Sequence, residues 1–221
     1  RDITWQPGSK DLKGQGVRVI SGRNTYDLWM PLLGDHQLEN AASAIGAVEE
    51  LVRQGFRIPI KAIVRGFRKV SWPGRLEILK EAPILVGDGA HNTYSASRLV
   101  EAVQSIFSYD HLFLVVGIST DKDLPGIVSE LAKLKPYVIA VASRHPRACP
   151  PEALLSLFSS CGMQGEASAT VSDAIVSALR LAGERDIILA TGSLFVVAEA
   201  IEEIKGIEPE IYPSLEKPKV V

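Results

Sequence analysis

The sequence feature that most constrains the fold is a regular alternation, after residue 74, between short apolar runs and longer helical patterns. This alternation occurs five times. The predicted strands are 83–87, 112–116, 137–142, 166–170 and 187–191, and the helices that follow them lie near 94–107, 124–134, 151–161, 172–183 and 194–205. Strands and helices that alternate in this way form parallel βα units. We therefore predict an α/β fold with a mostly parallel sheet and helices on both faces.

The chain before this alternation has another pattern. Residues 17–20 and 26–30 are β-branched or aromatic runs separated by polar residues, and this pattern predicts a β-hairpin. Gly14 and Gly16 are interpreted as turn residues before the hairpin, since no helix follows them and the third glycine of a dinucleotide fingerprint is lacking. Apolar residues at helical spacing then predict two helices, over 36–54 and 59–69.

A break in regular structure is expected at Ser71-Trp72-Pro73-Gly74, because proline and glycine both interrupt helices and strands. We predict a domain boundary there, with one domain over 1–73 and a second over 74–221. The proline-containing tail from Gly206 is interpreted as irregular surface chain. Because the sequence starts without methionine, in strand-like residues, we expect it to be a fragment of a longer protein.

Composition excludes several classes of protein. The net charge is only −2 and the charges are scattered, which disfavours nucleic-acid partners. No apolar run approaches the roughly 20 residues of a membrane span, and no signal peptide is evident, so we expect a cytoplasmic protein without a membrane partner. Cys149 and Cys161 are far apart and are interpreted as reduced structural thiols rather than as a metal or redox pair.

Candidate functional residues follow the predicted strands, because open parallel sheets bind ligands beyond the carboxyl ends of their strands. Asp88 ends one strand between two glycines, where a carboxylate could accept hydrogen bonds from ribose, although capping of the next helix is about equally favoured. His91 could bind an anionic group, but a lone histidine is usually structural. Asn92 fits a helix cap.

Three further sites have both a functional and a purely structural interpretation. Ser193 precedes the last predicted helix, where its hydroxyl and the backbone amides could bind a carboxylate, and simple N-capping is at least as favoured. Asp121-Lys122-Asp123 fits a solvated loop with a cap at Asp123. Arg75, at the predicted boundary, could pair bidentately with a phosphate, or it could be an ordinary surface arginine.

His36 and Asn40 lie four residues apart and therefore share one face of the first predicted helix. A carboxamide there could both donate to and accept from an adenine edge. Helix capping by polar residues is the competing interpretation of the pair.

The order and spacing of five sequence blocks resemble those of folylpolyglutamate and dihydrofolate synthases, which belong to the Mur ligase superfamily. The blocks are His36-Gln37-Leu38-Glu39-Asn40-Ala41-Ala42, Trp72-Pro73-Gly74-Arg75-Leu76-Glu77, Asp88-Gly89-Ala90-His91-Asn92, the loop Gly117 to Asp123, and Thr191-Gly192-Ser193 with the seven residues after it. The resemblance implies a Rossmann-like C-terminal Mur ligase domain over 74–221, preceded by the end of the central ATP-binding domain.

The same resemblance implies an activity and roles for individual residues. Such enzymes use ATP and Mg²⁺ to activate a carboxylate as an acyl phosphate, which an amine then attacks. Applied here, it implies Asn40 at the adenine, Arg75 at the phosphates and Asp88 at the nucleoside or the domain interface, while His91 and Ser193 hold the incoming glutamate. Arg75 and His91 are the candidate catalytic residues, Arg75 by electrostatic stabilisation, and no general base is identified.

One difference from the pattern of these enzymes limits what this sequence can do by itself. It contains no G-x-x-x-x-G-K-[ST] phosphate loop, and the resemblance places the magnesium ligands in an N-terminal part that is not in this sequence. We therefore expect no metal ligands here and no ligase activity from this piece alone. The expected partners are ATP, L-glutamate and a folate or dihydropteroate, in a protein expected to be a monomer.

Two alternatives remain open. A Mur ligase acting on peptidoglycan precursors is one, although such enzymes more often have Asp-Tyr-Ala-His where this chain has Asp88-Gly89-Ala90-His91. A noncatalytic nucleotide-binding module with the same βα crevice is the other, because a fold by itself does not determine activity.

Overall fold

A computed structural model describes residues 3–22 and 24–209 of the chain. The chain divides into two compact units, Arg1–Arg75 and Leu76–Val221, and each is described by itself. Most of the tail that was predicted to be irregular lies outside the described residues.

The first unit is a three-stranded antiparallel sheet with two helices. The strands are β1 (Thr4–Asp11), β2 (Gly14–Ile20) and β3 (Thr25–Met30), in that spatial order. The helices are α1 (Asp35–Arg53) and α2 (Ile60–Lys69). The apolar residues of β2, β3 and α1 form one buried core, which includes Val19, Met30, Leu38 and Ile45. The predicted hairpin and both predicted helices are therefore present.

The interpretation as a turn residue is wrong for Gly16, which lies inside β2 and pairs with Trp29 of β3, whereas Gly14 is the first residue of β2 and pairs with Asp11 across the turn between β1 and β2. A neighbouring strand comes too close for a side chain at Gly14 but only to ordinary contact distance at Gly16. A Cβ on Gly14 would lie 2.4 Å from the carbonyl oxygen of Met30, and a Cβ on Gly16 would lie 3.4 Å from the Cα of Gly8.

The second unit is built on a six-stranded sheet with the spatial order β4-β5-β9-β6-β7-β8. All neighbouring strands are parallel except β4 and β5, which are antiparallel. The strands are β4 (Glu77–Glu81), β5 (Ile84–Gly87), β6 (Leu112–Val116), β7 (Tyr137–Val141), β8 (Gly165–Ser168) and β9 (Ile187–Thr191). This confirms the α/β fold with a mostly parallel sheet.

Five helices and one short turn of 3-10 helix connect these strands. The helices are α3 (Thr93–Ile106), α4 (Leu124–Leu131), α5 (Pro151–Ser160), α6 (Val171–Leu181) and α7 (Leu194–Lys205), and Ala132–Leu134 extends α4 as a 3-10 turn. Side chains of Asn92, Asp123, Thr170 and Ser193 cap four of these helices at their N-termini. At the junctions after β5 and β9, the strand end and the helix start lie within six residues of each other.

Burial explains why β5, β6, β7 and β9 were predictable, whereas β8 was predicted although none of its residues is buried. Every residue of β9 is buried, and β6 and β7 are buried except at Phe113 and Tyr137, which fits continuously apolar strands covered on both faces. Strand β4 was not predicted. It is an edge strand of mixed polarity that lies half exposed, so its sequence lacks that signal.

Within residues 3–22 and 24–209, the helices are all too short or too polar to cross a membrane.

Candidate functional site

The candidate site in the second unit lies where β5, β9 and β6 end side by side. The backbone N–H of Asp88 donates to the carbonyl oxygen of Ala190 at 3.0 Å, and that of Gly117 donates to Thr191 at 3.2 Å. The residues that follow the three strands therefore leave the sheet at one edge, as the sequence predicted. Asp88 and His91 follow β5, and Ser193 follows β9, its immediate neighbour.

Asp88 is 5% exposed, and each of its carboxylate oxygens accepts a backbone hydrogen bond. One oxygen accepts from the N–H of Leu76 and the other from that of Ala90, both at 2.9 Å. Asp88 does not cap α3, because Asn92 does so through a reciprocal pair of bonds with Ser95. The helix-cap alternative is therefore wrong for Asp88 and confirmed for Asn92.

His91 is exposed beside the start of α3, and its ring is oriented by its own loop. Its Nδ1 lies 2.9 Å from the carbonyl oxygen of Gly89. A carbonyl can only accept, so Nδ1 carries the hydrogen in this contact. In the neutral ring Nε2 is then the acceptor nitrogen, and it can accept a hydrogen bond from a cationic or polar ligand.

Ser193 is the N-cap of α7 and is 6% exposed. Its Oγ accepts the backbone N–H of Val196 at 3.2 Å, so the capping interpretation is confirmed. Capping leaves the hydroxyl hydrogen as a donor, and the first turn of a helix directs backbone N–H groups towards an anion. The cap and a carboxylate site are therefore compatible at this residue.

Glycine is required where β6 and β9 end. Gly192 has a φ of +98°, a left-handed conformation, and a Cβ there would lie 2.6 Å from the carbonyl oxygen of Gly117. Gly192 thus lets the chain turn sharply into Ser193 while it contacts the neighbouring loop.

The Asp121-Lys122-Asp123 loop behaves as the sequence indicated. Lys122 donates to Asp121 at 2.9 Å, and this hydrogen bond lowers the pKa of the Asp121 carboxyl group. Asp123 caps α4 by accepting from Gly126 and also accepts from the hydroxyl of Thr93 at 2.8 Å. The second contact joins the starts of α3 and α4.

In the first unit, Asn40 and Arg75 line one cavity of about 420 Å³. Its walls also include the apolar side chains of Met30, Phe67 and Trp72. This volume is within the usual range for small-molecule sites, and the lining combines apolar walls with few polar groups. The structure therefore brings together two of the three residues that the resemblance assigned to ATP.

The capping interpretation of His36 and Asn40 is wrong, because the N-cap of α1 is Gly34 and no side chain caps that helix. Gln37 connects the two residues instead. Asn40 donates to the Gln37 side-chain oxygen at 3.1 Å, and the Gln37 amide nitrogen lies 2.9 Å from His36 Nε2. The carboxamide of Asn40 is thus oriented at the cavity wall, and sequence analysis missed the role of Gln37.

Comparison with protein families matches residues 74–194 to the model described as "Mur ligase, glutamate ligase domain". This match covers more than half of the chain. The chain belongs to the Mur ligase family. The match begins at the predicted domain boundary and contains every candidate site residue of the second unit.

Individual relatives agree with the family match. The probable bifunctional folylpolyglutamate synthase/dihydropteroate synthase of Halobacterium salinarum is 39% identical over 207 residues, which are 90% of this chain and 24% of that protein. Among solved structures, Mycobacterium tuberculosis folylpolyglutamate synthase complexed with ADP superposes with a TM-score of 0.82 at 29% identity. Escherichia coli FolC in complex with DHPP and ADP superposes with a TM-score of 0.78 at 26% identity.

These comparisons cover most of this Mur ligase chain but only part of each relative. The two solved structures match 93% and 91% of the chain, and the matched parts are 48% and 46% of their own chains. The chain therefore spans less than half the length of these proteins.

Sequence analysis also missed a buried acid in the second unit. Glu199 on α7 is 7% exposed, and its carboxylate accepts the backbone N–H of Arg144 at 2.8 Å. The Arg144 guanidinium lies 3.5 Å from the same oxygen and also pairs with Glu202. Burial raises the pKa of Glu199, and the contacts with Arg144 oppose that rise. The only sequence signal was a glutamate among apolar residues in the Thr191–Ala200 block.

No cluster of three or more His, Cys, Asp or Glu side chains with metal-binding geometry occurs among the described residues.

Proposed function

We propose that this chain forms part of an ATP-dependent ligase that adds L-glutamate to a folate, to dihydropteroate, or to both. These are the activities of folylpolyglutamate synthase and dihydrofolate synthase. The proposal is supported by the similarity of this chain to folylpolyglutamate synthases and by the agreement between their fold and this one. We also propose a cytoplasmic location for the protein.

The observation that carries the proposal is that His91 and Ser193 follow the carboxyl ends of two neighbouring strands, β5 and β9. An amino acid presents a carboxylate and an amino group only a few ångströms apart. The first turn of α7 with the Ser193 hydroxyl suits the carboxylate, because helix N-termini attract anions. The Nε2 acceptor of a neutral His91 suits the amino group.

His91 is assigned a role at the reacting amine. The amine must lose a proton when it becomes an amide nitrogen, and a hydrogen-bond acceptor beside it stabilises the charge that develops. The Nδ1–H contact with the Gly89 carbonyl fixes the ring so that Nε2 is the acceptor. We propose that this contact orients the ring for the reaction.

Asn40 and Arg75 are assigned to the nucleotide. The apolar walls of their cavity suit the faces of an adenine ring, and the Asn40 carboxamide suits its polar edge. Arg75 keeps its positive charge at all physiological pH values, so it would stabilise phosphate charge without transferring a proton. The complexes of two relatives with ADP support this assignment. Asp88 is proposed to contact the nucleoside.

Mg²⁺ normally accompanies the phosphates of ATP in such reactions. The described residues offer no cluster that fits this ion, so no step is assigned to a metal bound by them.

The test is a ligase assay on the complete protein encoded by the gene that contains this sequence. L-Glutamate and ATP would be supplied with tetrahydrofolate, with dihydropteroate, or with a nucleotide-linked muramyl peptide. We expect ADP release that depends on glutamate and on one or both of the first two acceptors. Turnover with the muramyl acceptor alone would contradict the folate assignment.

A further inference from the structure

The loop after β7 contains a buried histidine that the proposed function does not use. His145 is 9% exposed, and its ring stacks on that of Phe195 with a centroid distance of 4.1 Å and an angle of 24° between planes. Phe195 is the second residue of α7 and lies two positions after Ser193. This ring pair therefore joins the loop after β7 to the first turn of the helix that Ser193 caps.

The orientation of the His145 ring is fixed by a hydrogen bond as well as by stacking. Its Nδ1 accepts the backbone N–H of Arg147 at 3.2 Å. A nitrogen that accepts this bond carries no hydrogen, so the hydrogen of the neutral ring lies on Nε2. One tautomer and one ring orientation are thus selected by the loop itself.

The loop is held on both sides of His145. We name residues 144–149 the strap. On one side, the N–H of Arg144 donates to Glu199 of α7 at 2.8 Å. On the other, Thr120 donates to the carbonyl of Arg147, and Cys149 donates to that of Ile118, each at 2.8 Å. The strap therefore connects the loop after β6 to α7 and has little freedom to shift.

We propose that His145 is a positioning residue for the amino-acid substrate, acting through Phe195 on the first turn of α7. The inference rests on the proposed function, which assigns the substrate carboxylate to Ser193 and this helix N-terminus. A carboxylate is bound well only if the N–H groups and the hydroxyl are already directed towards it. The ring stack supplies this restraint from the side of the helix, because Phe195 packs on a ring whose loop is held by backbone hydrogen bonds.

A packing role alone makes a different prediction. If the two rings only fill space, their truncation lowers the free energy of unfolding and leaves the affinity of the folded chain for glutamate unchanged. If they position the helix turn, truncation weakens glutamate binding by the folded protein. Affinity measured on folded variants therefore separates the two roles.

The experiment titrates the isotope-labelled 221-residue chain with L-glutamate and follows backbone amide signals by NMR. Phe195→Leu removes the ring from α7, and His145→Ala removes it from the strap. We expect each to weaken binding about tenfold, a change of ~1.4 kcal/mol. Phe195→Tyr retains an aromatic ring and should restore the affinity to within about twofold of the original chain.

Phe158→Leu is the matched control, because Phe158 is fully buried on α5 and lies outside the strap and α7. It should lower the unfolding temperature and leave glutamate affinity unchanged. Normal affinity in folded Phe195→Leu and His145→Ala chains would overturn the inference, as would equal weakening by Phe158→Leu. If the unsubstituted chain does not bind glutamate, the assignment of Ser193 fails first and the inference fails with it.

Discussion

The carboxylate of Asp88 accepts the backbone N–H of Leu76, a residue twelve positions earlier, at 2.9 Å. Leu76 is 3% exposed and has a φ of 45°, a left-handed conformation that is unfavourable for a residue with a side chain. Asp88 therefore stabilises a strained backbone at the start of the second unit while it also binds the N–H of Ala90. These two hydrogen bonds give the buried Asp88 carboxylate a structural role, in addition to any contact with a nucleoside.

This relationship predicts the effect of Asp88→Asn on stability. Asparagine has only one side-chain oxygen, and its NH₂ group cannot accept a hydrogen bond. Either the N–H of Leu76 or that of Ala90 would therefore lose its acceptor while buried. We expect the free energy of unfolding to fall by about 1–3 kcal/mol, measured by urea denaturation of the chain. Asp121→Asn, at an exposed carboxylate, is the control and should change it by less than ~1 kcal/mol. Equal effects would contradict the structural role of Asp88.

Gly192 and Gly162 allow backbone strain to be separated from steric contact. Both have positive φ values, +98° and +81°, but only a Cβ on Gly192 would clash, whereas one on Gly162 would meet nothing within 4 Å. Gly162→Ala should cost about 1–2 kcal/mol from strain alone. Gly192→Ala should cost a further ~1–3 kcal/mol because the Gly117 carbonyl must move. Urea denaturation measures the loss in free energy of unfolding for both variants. Equal losses would show that the Gly117 carbonyl moves at little cost in free energy.

Glu199 should make stability depend on pH. Burial raises its pKa in the folded chain above the ordinary value of 4.5. A raised pKa means that its contribution to stability is complete below the unfolded-state pKa and is lost as pH rises through the folded-state value. Glu199→Gln does not titrate, so its free energy of unfolding relative to that of the original chain should increase as pH rises above the ordinary carboxyl value of 4.5.

Urea denaturation at several pH values checks this prediction. Glu184→Gln is the control, since Glu184 is exposed in the loop before β9. A difference between Glu199→Gln and the original chain that is flat or falls with pH would mean that the contacts with Arg144 outweigh burial.

Arg75 should affect the use of ATP without affecting the fold. In the complete protein, Arg75→Ala should lower the rate of ligation about 10²–10³-fold, the usual loss when one group that stabilises transition-state charge is removed. Arg65→Ala, an exposed arginine on α2, is the control and should leave the rate unchanged. Steady-state kinetics with ATP as the varied substrate measures both. A normal rate with Arg75→Ala would remove Arg75 from the proposed site.

The main features of the fold could be predicted from the sequence because burial on two faces leaves continuous apolar runs, as in β6 and β9. Strand β4 could not, since an edge strand with Glu77, Lys80 and Glu81 has no such pattern. Helix caps were predictable because capping depends on residues three apart, as for Asn92 and Ser95.

The parts of the site that escaped prediction depend on contacts distant in sequence. Asp88 was equally compatible with a helix cap until its bond to Leu76 was known. His145 and Phe195 are fifty positions apart, and no local spacing indicates that their rings meet. Glu199 and Arg144 are separated by a similar distance. Local patterns identify the strand ends, but pairing between different βα units requires the tertiary structure.

Both edge strands of the six-stranded sheet are poor templates for pairing with a strand from another molecule. Edge strand β4 has five residues and carries Lys80 and Glu81. Edge strand β8 has four residues and carries Glu166. Short, charged edge strands offer few backbone hydrogen bonds, and pairing of two copies would require their charged side chains to lose water. The second unit should therefore resist aggregation through its edge strands at the high concentrations that titrations with weak ligands require.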